Sequence, residues 1–463
     1  MVRPFFCRVT LAALLAMVAC SPALAQHADP ASIAAVRDQA RDGDALAVDL
    51  IRSLSTEIGP RPAGSAAEAR ARNWAVQKLT SLGFSNVHME VFDFPGWERG
   101  AETATITSPY PQKLLVTALG YSAATPAQGI EAEVAAFDSS EDLAAAPTSA
   151  VRGKIVLVGH AMQPTQDASG YFQSIGVRTD APNLASQKGA AAILVRSLAT
   201  GNARDPHTGV VFFKPGIAAI PAAAISLPDA DQLQRMIAAA HPVRLRLVLT
   251  PGSGSTRQSA NVVADIPGSD PSAGVVLVAA HLDSWDLGTG ALDNATGIGI
   301  LVSAVRRVAA LGQPRRTIRV LLSGAEEMGF IGGKAYFSRH QPDTTVVFVG
   351  ESDFGSGRVW RALFGLGQDN AALADRIQLL LSPLGIVRGR DAARALADLG
   401  PWAAAGHAAI DLNQDTTDYF NFHHAAGDTF DKVDQVAVRQ NVAAWFVVLA
   451  SVANAPEPVV RTK

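Results

Sequence analysis

Apolar and polar positions repeat along this chain in two rhythms. A helical period marks residues 31–55 and 66–82, the second stretch closed by Gly83. A period of two marks 87–94 as a strand, which Pro95-Gly96 is expected to end. Between about 114 and 250 the texture changes. Short strands are predicted at 130–137, 154–158, 191–195, 222–225 and 243–249, with one helix near 183–188 and Gly, Pro and Asn clusters between them. Pro251-Gly252-Ser253-Gly254-Ser255 then reads as a flexible boundary. Longer elements follow: strands at 261–266, 275–280, 317–323 and 346–351, and helices at 294–311 (capped by Asp293 or Asn294), from about 331, at 371–384 and at 436–453. Strands alternating with helices predict an α/β fold with a mostly parallel central sheet flanked by helices. The expected organisation is a leader over 1–25, a first part of the main domain over 26–113, a β-rich insertion over 114–250, the main part over 251–455 and a tail over 456–463.

Composition narrows the function classes. The 463 residues are 48% apolar and 17% charged, enough for a well-packed core with an insertion, and the net charge of −3 points to neither nucleic acid nor an anionic membrane surface. At the N-terminus Arg3 and Arg8 precede an apolar run over 9–19 and the small-residue site Ala23-Leu24-Ala25, the pattern of an export signal. That run is too short to span a bilayer, and no other segment reads as transmembrane. Cys7 and Cys20 are the only cysteines, so the chain without its leader has no disulfide. A competing reading makes Met17-Val18-Ala19-Cys20 a lipoprotein site anchored at Cys20.

Chemistry concentrates where apolar strands end. His281 closes one strand, Asp293 lies in the Gly-rich loop before the next helix, and Glu326-Glu327 follows another strand. Asp353 stands just after a fourth, and His424 sits in Tyr419-Phe420-Asn421-Phe422-His423-His424. Open α/β sheets gather their active sites at strand exits. Zinc takes imidazole nitrogen and carboxylate oxygen, so His281, Asp293, Glu327, Asp353 and His424 are candidate ligands. One such residue alone is ordinarily a cap or a solvated loop side chain; five in one chain, four of them at strand ends or in the loops just beyond, are not explained that way. A nucleophile elbow is absent, and Gly288-x-Gly290 lacks the third glycine of a dinucleotide fingerprint.

These residues resemble the M28 family of co-catalytic zinc peptidases, and within it the carboxypeptidase Q branch. The resemblance rests on the residues at 59–65 (Gly-Pro-Arg-Pro-Ala-Gly-Ser), 96–100 (Gly-Trp-Glu-Arg-Gly), 281–286 (His-Leu-Asp-Ser-Trp-Asp), 325–327 with Gly329, 351–353, and Tyr419-Phe420 with His423-His424. It implies a phosphorylase/hydrolase-like fold carrying an inserted protease-associated domain, to which Pro206-His207-Thr208-Gly209 would belong. It implies two Zn2+ ions per chain, one on His281, Asp293 and Asp353, the other on Asp293, Glu327 and His424. Glu326 would be the general base and Asp283 the partner that orients His281. Ala425 departs from the Ser or Thr usual after the last histidine. The resemblance implies an exported metallo-exopeptidase acting on dipeptides or short peptides, with homodimers as family precedent. Removal of N-terminal residues is the nearest alternative. A non-catalytic binding protein or a glutaminyl cyclase on the same fold are further ones, disfavoured by the complete ligand set and the insertion.

Overall fold

The computed structural model describes residues 1–2, 29–239, 242–341, 345–391, 393 and 397–460. Apart from its first two residues the expected leader over 1–25, with Cys7 and Cys20, lies outside the described residues.

The first sheet has eight strands, in the order Ser85–Glu98, Gly252–Ile266, Thr317–Ser323, Val275–His281, Val346–Glu351, Ala408–Gln414, Val359–Gly365 and Val387–Arg388. Its four central strands, from Thr317–Ser323 to Ala408–Gln414, are parallel. The pairs outside them are antiparallel, except at the Val387–Arg388 edge, so the sheet is mixed, with a parallel centre, where a mostly parallel one was expected. The central strands are apolar throughout because both faces are covered. Val276, Val278 and Ala280 join the cluster formed with the helices Thr296–Leu311 and Gln435–Asn454. Leu277 and Ala279, one residue out of phase, face Tyr336 and Trp402 on the other side. The helices 291–311 and 435–454 are long and apolar enough to cross a membrane, but both are largely buried in this core.

A second eight-stranded sheet occupies the chain between Glu102 and Leu249. It hangs from a stem. Ser85–Glu98 and Gly252–Ile266 run antiparallel as neighbours, with Glu98 opposite Gly252 and Trp97 opposite Ser253. Two expectations change here. Pro95-Gly96 does not end the strand; the register shifts there and pairing resumes at Trp97. The segment 251–255 is not a flexible boundary, because from Gly252 onward its backbone is paired across the stem. Gly-Ser composition describes a linker only when no partner strand is at hand.

Strands at Ile130–Phe137, Ile155–Val158, Ala192–Arg196 and Ala222–Ile225 fall within a residue of their predicted bounds. The inserted unit is less purely β than expected. Six helices lie among its described residues, including Leu227–Ala238, capped by Ser226 on the Asp229 amide. The others span four to seven residues, too few turns to show a helical period in sequence. One apolar cluster joins the units: Ile155, Leu157 and Leu194 of the insertion share it with Trp97, Trp285, Ala325 and Met328.

Candidate metal centre

The carboxyl ends of the four parallel strands meet at one cleft. His281 ends its strand directly beside Ser323. Beyond Ser323 the chain turns through Ala325, held at φ 54°, and delivers Glu326 and Glu327. Asp353 follows Glu351, and the strand ending at Gln414 leads to His423 and His424.

Asp293 lies at the middle of this arrangement. Its Oδ1 is 2.9 Å from His281 Nε2, and its Oδ2 is 3.3 Å from His424 Nε2. His281 Nε2 is also 3.0 Å from Asp353 Oδ1, and His424 Nε2 is 3.0 Å from Glu327 Oε2. A zinc ion with bonds of about 2.0–2.2 Å separates its ligand atoms by roughly 3.3 Å, so these spacings are those of atoms able to share an ion. His281, Asp293 and Asp353 form one compact group, and Glu327 Oε1 is buried without a hydrogen-bond partner.

Electrostatics favour cations here. Asp283, Asp293, Glu327, Glu351, Asp398 and Asp428 are buried, with Glu326 and Asp353 beside them. Burial, aided by neighbouring carboxylates, pushes Asp283 up to about 8, Asp428 up to about 7 and Asp353 up to about 6, and lifts Glu326 and Glu351 well above the carboxylate range. Burial opposes charge on His281 and His424. The surrounding acids outweigh it, raising His424 to about 9 and His281 well above the imidazole range. Asp293 is held well below its usual value by the two histidines, against its burial. Acids that resist ionisation beside imidazoles that resist losing a proton describe a site short of positive charge. Divalent cations would supply it.

Supporting contacts fix each ligand. His281 Nδ1 lies 3.0 Å from the main-chain carbonyl of Asp283, which makes Nδ1 the donor and leaves Nε2 its lone pair. The Asp283 carboxylate is farther off, at 3.8 Å, and instead accepts the amides of Glu326 at 3.0 Å and Glu327 at 3.3 Å. Asp283 thus orients His281 through its carbonyl, not its side chain, and its carboxylate pins the Glu-Glu turn.

Three contributors carried no assigned role in the sequence. Asp428 accepts the amides of Leu292 at 2.6 Å and Asp293 at 3.2 Å. Arg61, fully buried, donates to the carbonyls of Leu282, Thr289 and Gly290, bracing both ends of the loop from His281 towards Asp293. Its place in the Gly-Pro-Arg-Pro run was the only signal. Arg178 of the inserted unit lines the cleft; it donates to Tyr171 Oη at 2.7 Å and to the Thr208 carbonyl at 3.2 Å. No carboxylate pairs with it among the described residues, and its Nε is buried without a partner. Asn294, expected as a helix cap, accepts the Gly297 amide at 2.9 Å. The His423 ring stacks on His424 with centroids 3.5 Å apart, and its Nε2 is 3.7 Å from Asp293 Oδ2. Trp285 packs 5.8 Å from the His424 ring. Asp415 accepts the Thr417 amide and hydroxyl within its own loop and Gln166 Nε2 from the inserted unit.

The cleft beside these residues measures about 370 Å3 and has walls from both units: Tyr171, Phe172, Arg178 and Phe212 on one side, Glu326, Phe330, Phe354 and Leu412 on the other.

Known proteins are similar to this chain. A model of peptidase family M28 matches residues 261–449. Carboxypeptidase Q of Mus musculus is 35% identical over 412 residues, covering 88% of this chain and 86% of that protein. The crystal structure of a peptidase M28 precursor from Shewanella amazonensis SB2B has a TM-score of 0.90 at 37% identity, covering 93% of this chain and 98% of that one. A zinc aminopeptidase from Bacillus subtilis shares the fold at 20% identity, with a TM-score of 0.65 over 90% of this chain and 95% of its own.

Proposed function

Because the chain belongs to peptidase family M28, we propose that its two histidines and three carboxylates hold two zinc ions and that it hydrolyses dipeptides or short peptides from a free end. The observation that carries this reading is the division of Asp293, one oxygen towards His281 and the other towards His424. His281, Asp293 and Asp353 would hold one ion; Asp293, Glu327 and His424 the other. Zinc bound there would polarise the scissile carbonyl and acidify water. Glu326 lines the cleft and has no ligand role in this scheme. It would take the proton from the attacking water and return it to the leaving amine.

The insertion, expected over 114–250, would be a protease-associated-like domain whose Tyr171, Phe172 and Arg178 close one side of the cleft. A cleft walled on that side suits short chains. Arg178, buried and without a carboxylate of its own, would receive the free carboxylate of a peptide. The second reading, removal of N-terminal residues, is favoured by the acidic lining of the same cleft, to which Asp167, Glu351 and Asp411 contribute and which would attract an amine. A free dipeptide presents both groups. The export signal at the N-terminus would send the enzyme across the inner membrane to meet such substrates.

Metal analysis of the purified enzyme tests the centre. Two zinc ions per chain are expected, with activity lost to a chelator and restored by zinc. One tightly held ion with full activity would remove the bridged site.

A further inference from the structure

The run Pro206-His207-Thr208-Gly209 belongs to the inserted unit, yet it lies directly against the metal cluster. His207 is buried, and its amide donates to Ser197 Oγ at 2.9 Å. Its Nδ1 is 2.6 Å from the main-chain carbonyl of His423. A carbonyl only accepts, so Nδ1 carries the proton. Thr208 continues the contact: its amide donates to the His424 carbonyl at 3.0 Å, and its own carbonyl lies 3.2 Å from His424 Nδ1. Thr208 is itself fixed, by Oγ1 donating to the Ala118 carbonyl at 2.8 Å and by Arg178 donating to its carbonyl.

These three hydrogen bonds reach two consecutive residues, and one of those residues is a candidate ligand. They accomplish two things. The Thr208 carbonyl makes His424 Nδ1 the donor, so Nε2 turns its lone pair towards Asp293 and Glu327. The bonds to the His423 and His424 carbonyls hold the backbone where His424 has φ 60°. A left-handed non-glycine residue is strained and persists where its surroundings over-determine it. His281 needs no such help from another unit, because its orienting carbonyl comes from Asp283, two residues on.

We propose that His207 is a positioning residue for one of the two metal ions: through His207 and Thr208 the inserted unit presets His424, so the affinity of the ion on His424 depends on that unit while the ion on His281 does not. The inserted unit then serves as part of the metal centre as well as a wall of the cleft. This rests on the two-ion reading above.

Zinc titration of the metal-free protein against a chromophoric chelator tests the proposal, with thermal unfolding of the same metal-free samples as a control. His207→Ala should weaken one of two binding steps by up to about 10-fold and leave the other within about twofold, the low end of the range seen when a metal-bound histidine loses its direct partner, because Thr208 and not His207 contacts His424 Nδ1. His207→Asn places an amide N–H near the position of Nδ1 and should restore the weakened step. His207→Gln places its amide nearer Nε2 and should not. Unchanged binding in His207→Ala, or equal weakening of both steps, would overturn the proposal. So would Asn and Gln variants that bind alike, and that pair carries the test if His207→Ala does not fold. A single binding step in the unmodified protein would instead count against the two-ion reading. The Asn–Gln contrast would still judge the latch on that one step.

Discussion

Glu326 and Glu327 are neighbours with different surroundings. The Asp283 carboxylate takes both of their amides, so their side chains are free to diverge, Glu327 towards His424 and Glu326 along the cleft wall. Glu326→Gln should therefore keep both ions and the fold while losing about 10²–10⁴-fold in kcat, because an amide cannot accept the water proton. Near-normal turnover with metal content intact would place the base elsewhere. On the proposed reading, the choice of terminus turns on Arg178. The unmodified enzyme should prefer a dipeptide acid over its C-terminal amide, and Arg178→Met should shrink that preference by about 10–100-fold, the worth of a charge-assisted hydrogen bond, chiefly through KM. Acid and amide hydrolysed equally well by the unmodified enzyme would remove the carboxylate role.

At the scale of elements, the centre is set by loops whose ends are tied to rigid parts. Arg61 bridges the carbonyls of Leu282, Thr289 and Gly290, and Asp428 closes the turn at Asp293. Arg61 is presented by the segment just ahead of the helix Ala66–Ser81, whose N-terminus is fixed by Ser65 Oγ on the Glu68 amide at 3.1 Å and by Glu68 reaching back to the Gly64 amide at 2.7 Å. Ser65→Ala should cost about 0.5–2 kcal/mol in denaturant unfolding, the ordinary value of such a cap. A midpoint that does not move would mean that Glu68 alone holds the turn.

At the scale of the whole molecule, the paired strands Ser85–Glu98 and Gly252–Ile266 bring the inserted unit back over the strand exits, and the shared apolar cluster seats it there. An enzyme that cuts within long chains needs a groove open at both ends. Here Tyr171, Phe172 and Phe212 stand against Phe330 and Phe354 around about 370 Å3 of cleft. Unblocked dipeptides should be hydrolysed, and a long peptide blocked at both termini should survive. Efficient internal cleavage of that blocked peptide, followed by mass spectrometry, would refute the reading.

Much of the candidate centre was legible in the sequence because four of its five candidate ligands end an apolar strand or lie in the loop beyond one. Strand exits of one parallel sheet converge whatever lies between them in the chain. That logic placed His281, Asp293, Glu327 and Asp353 before any contact was known, and local periodicity located the central strands and the helices 296–311 and 435–454. Other features depended on pairing between distant segments. The Gly-Ser run at 251–255 is strand because Ser85–Glu98 lies beside it. The short helices of the insertion are held by packing, being too brief to print a period. Arg61, Asp428 and Arg178 acquire meaning only through carbonyls, amides and a cleft that other elements supply. The sequence by itself determined which atoms could bind a metal. Tertiary structure decided how they are aimed, because aim depends on partners such as the Asp283 carbonyl for His281 and, for His424, a carbonyl from Thr208, more than two hundred residues away and in the other unit.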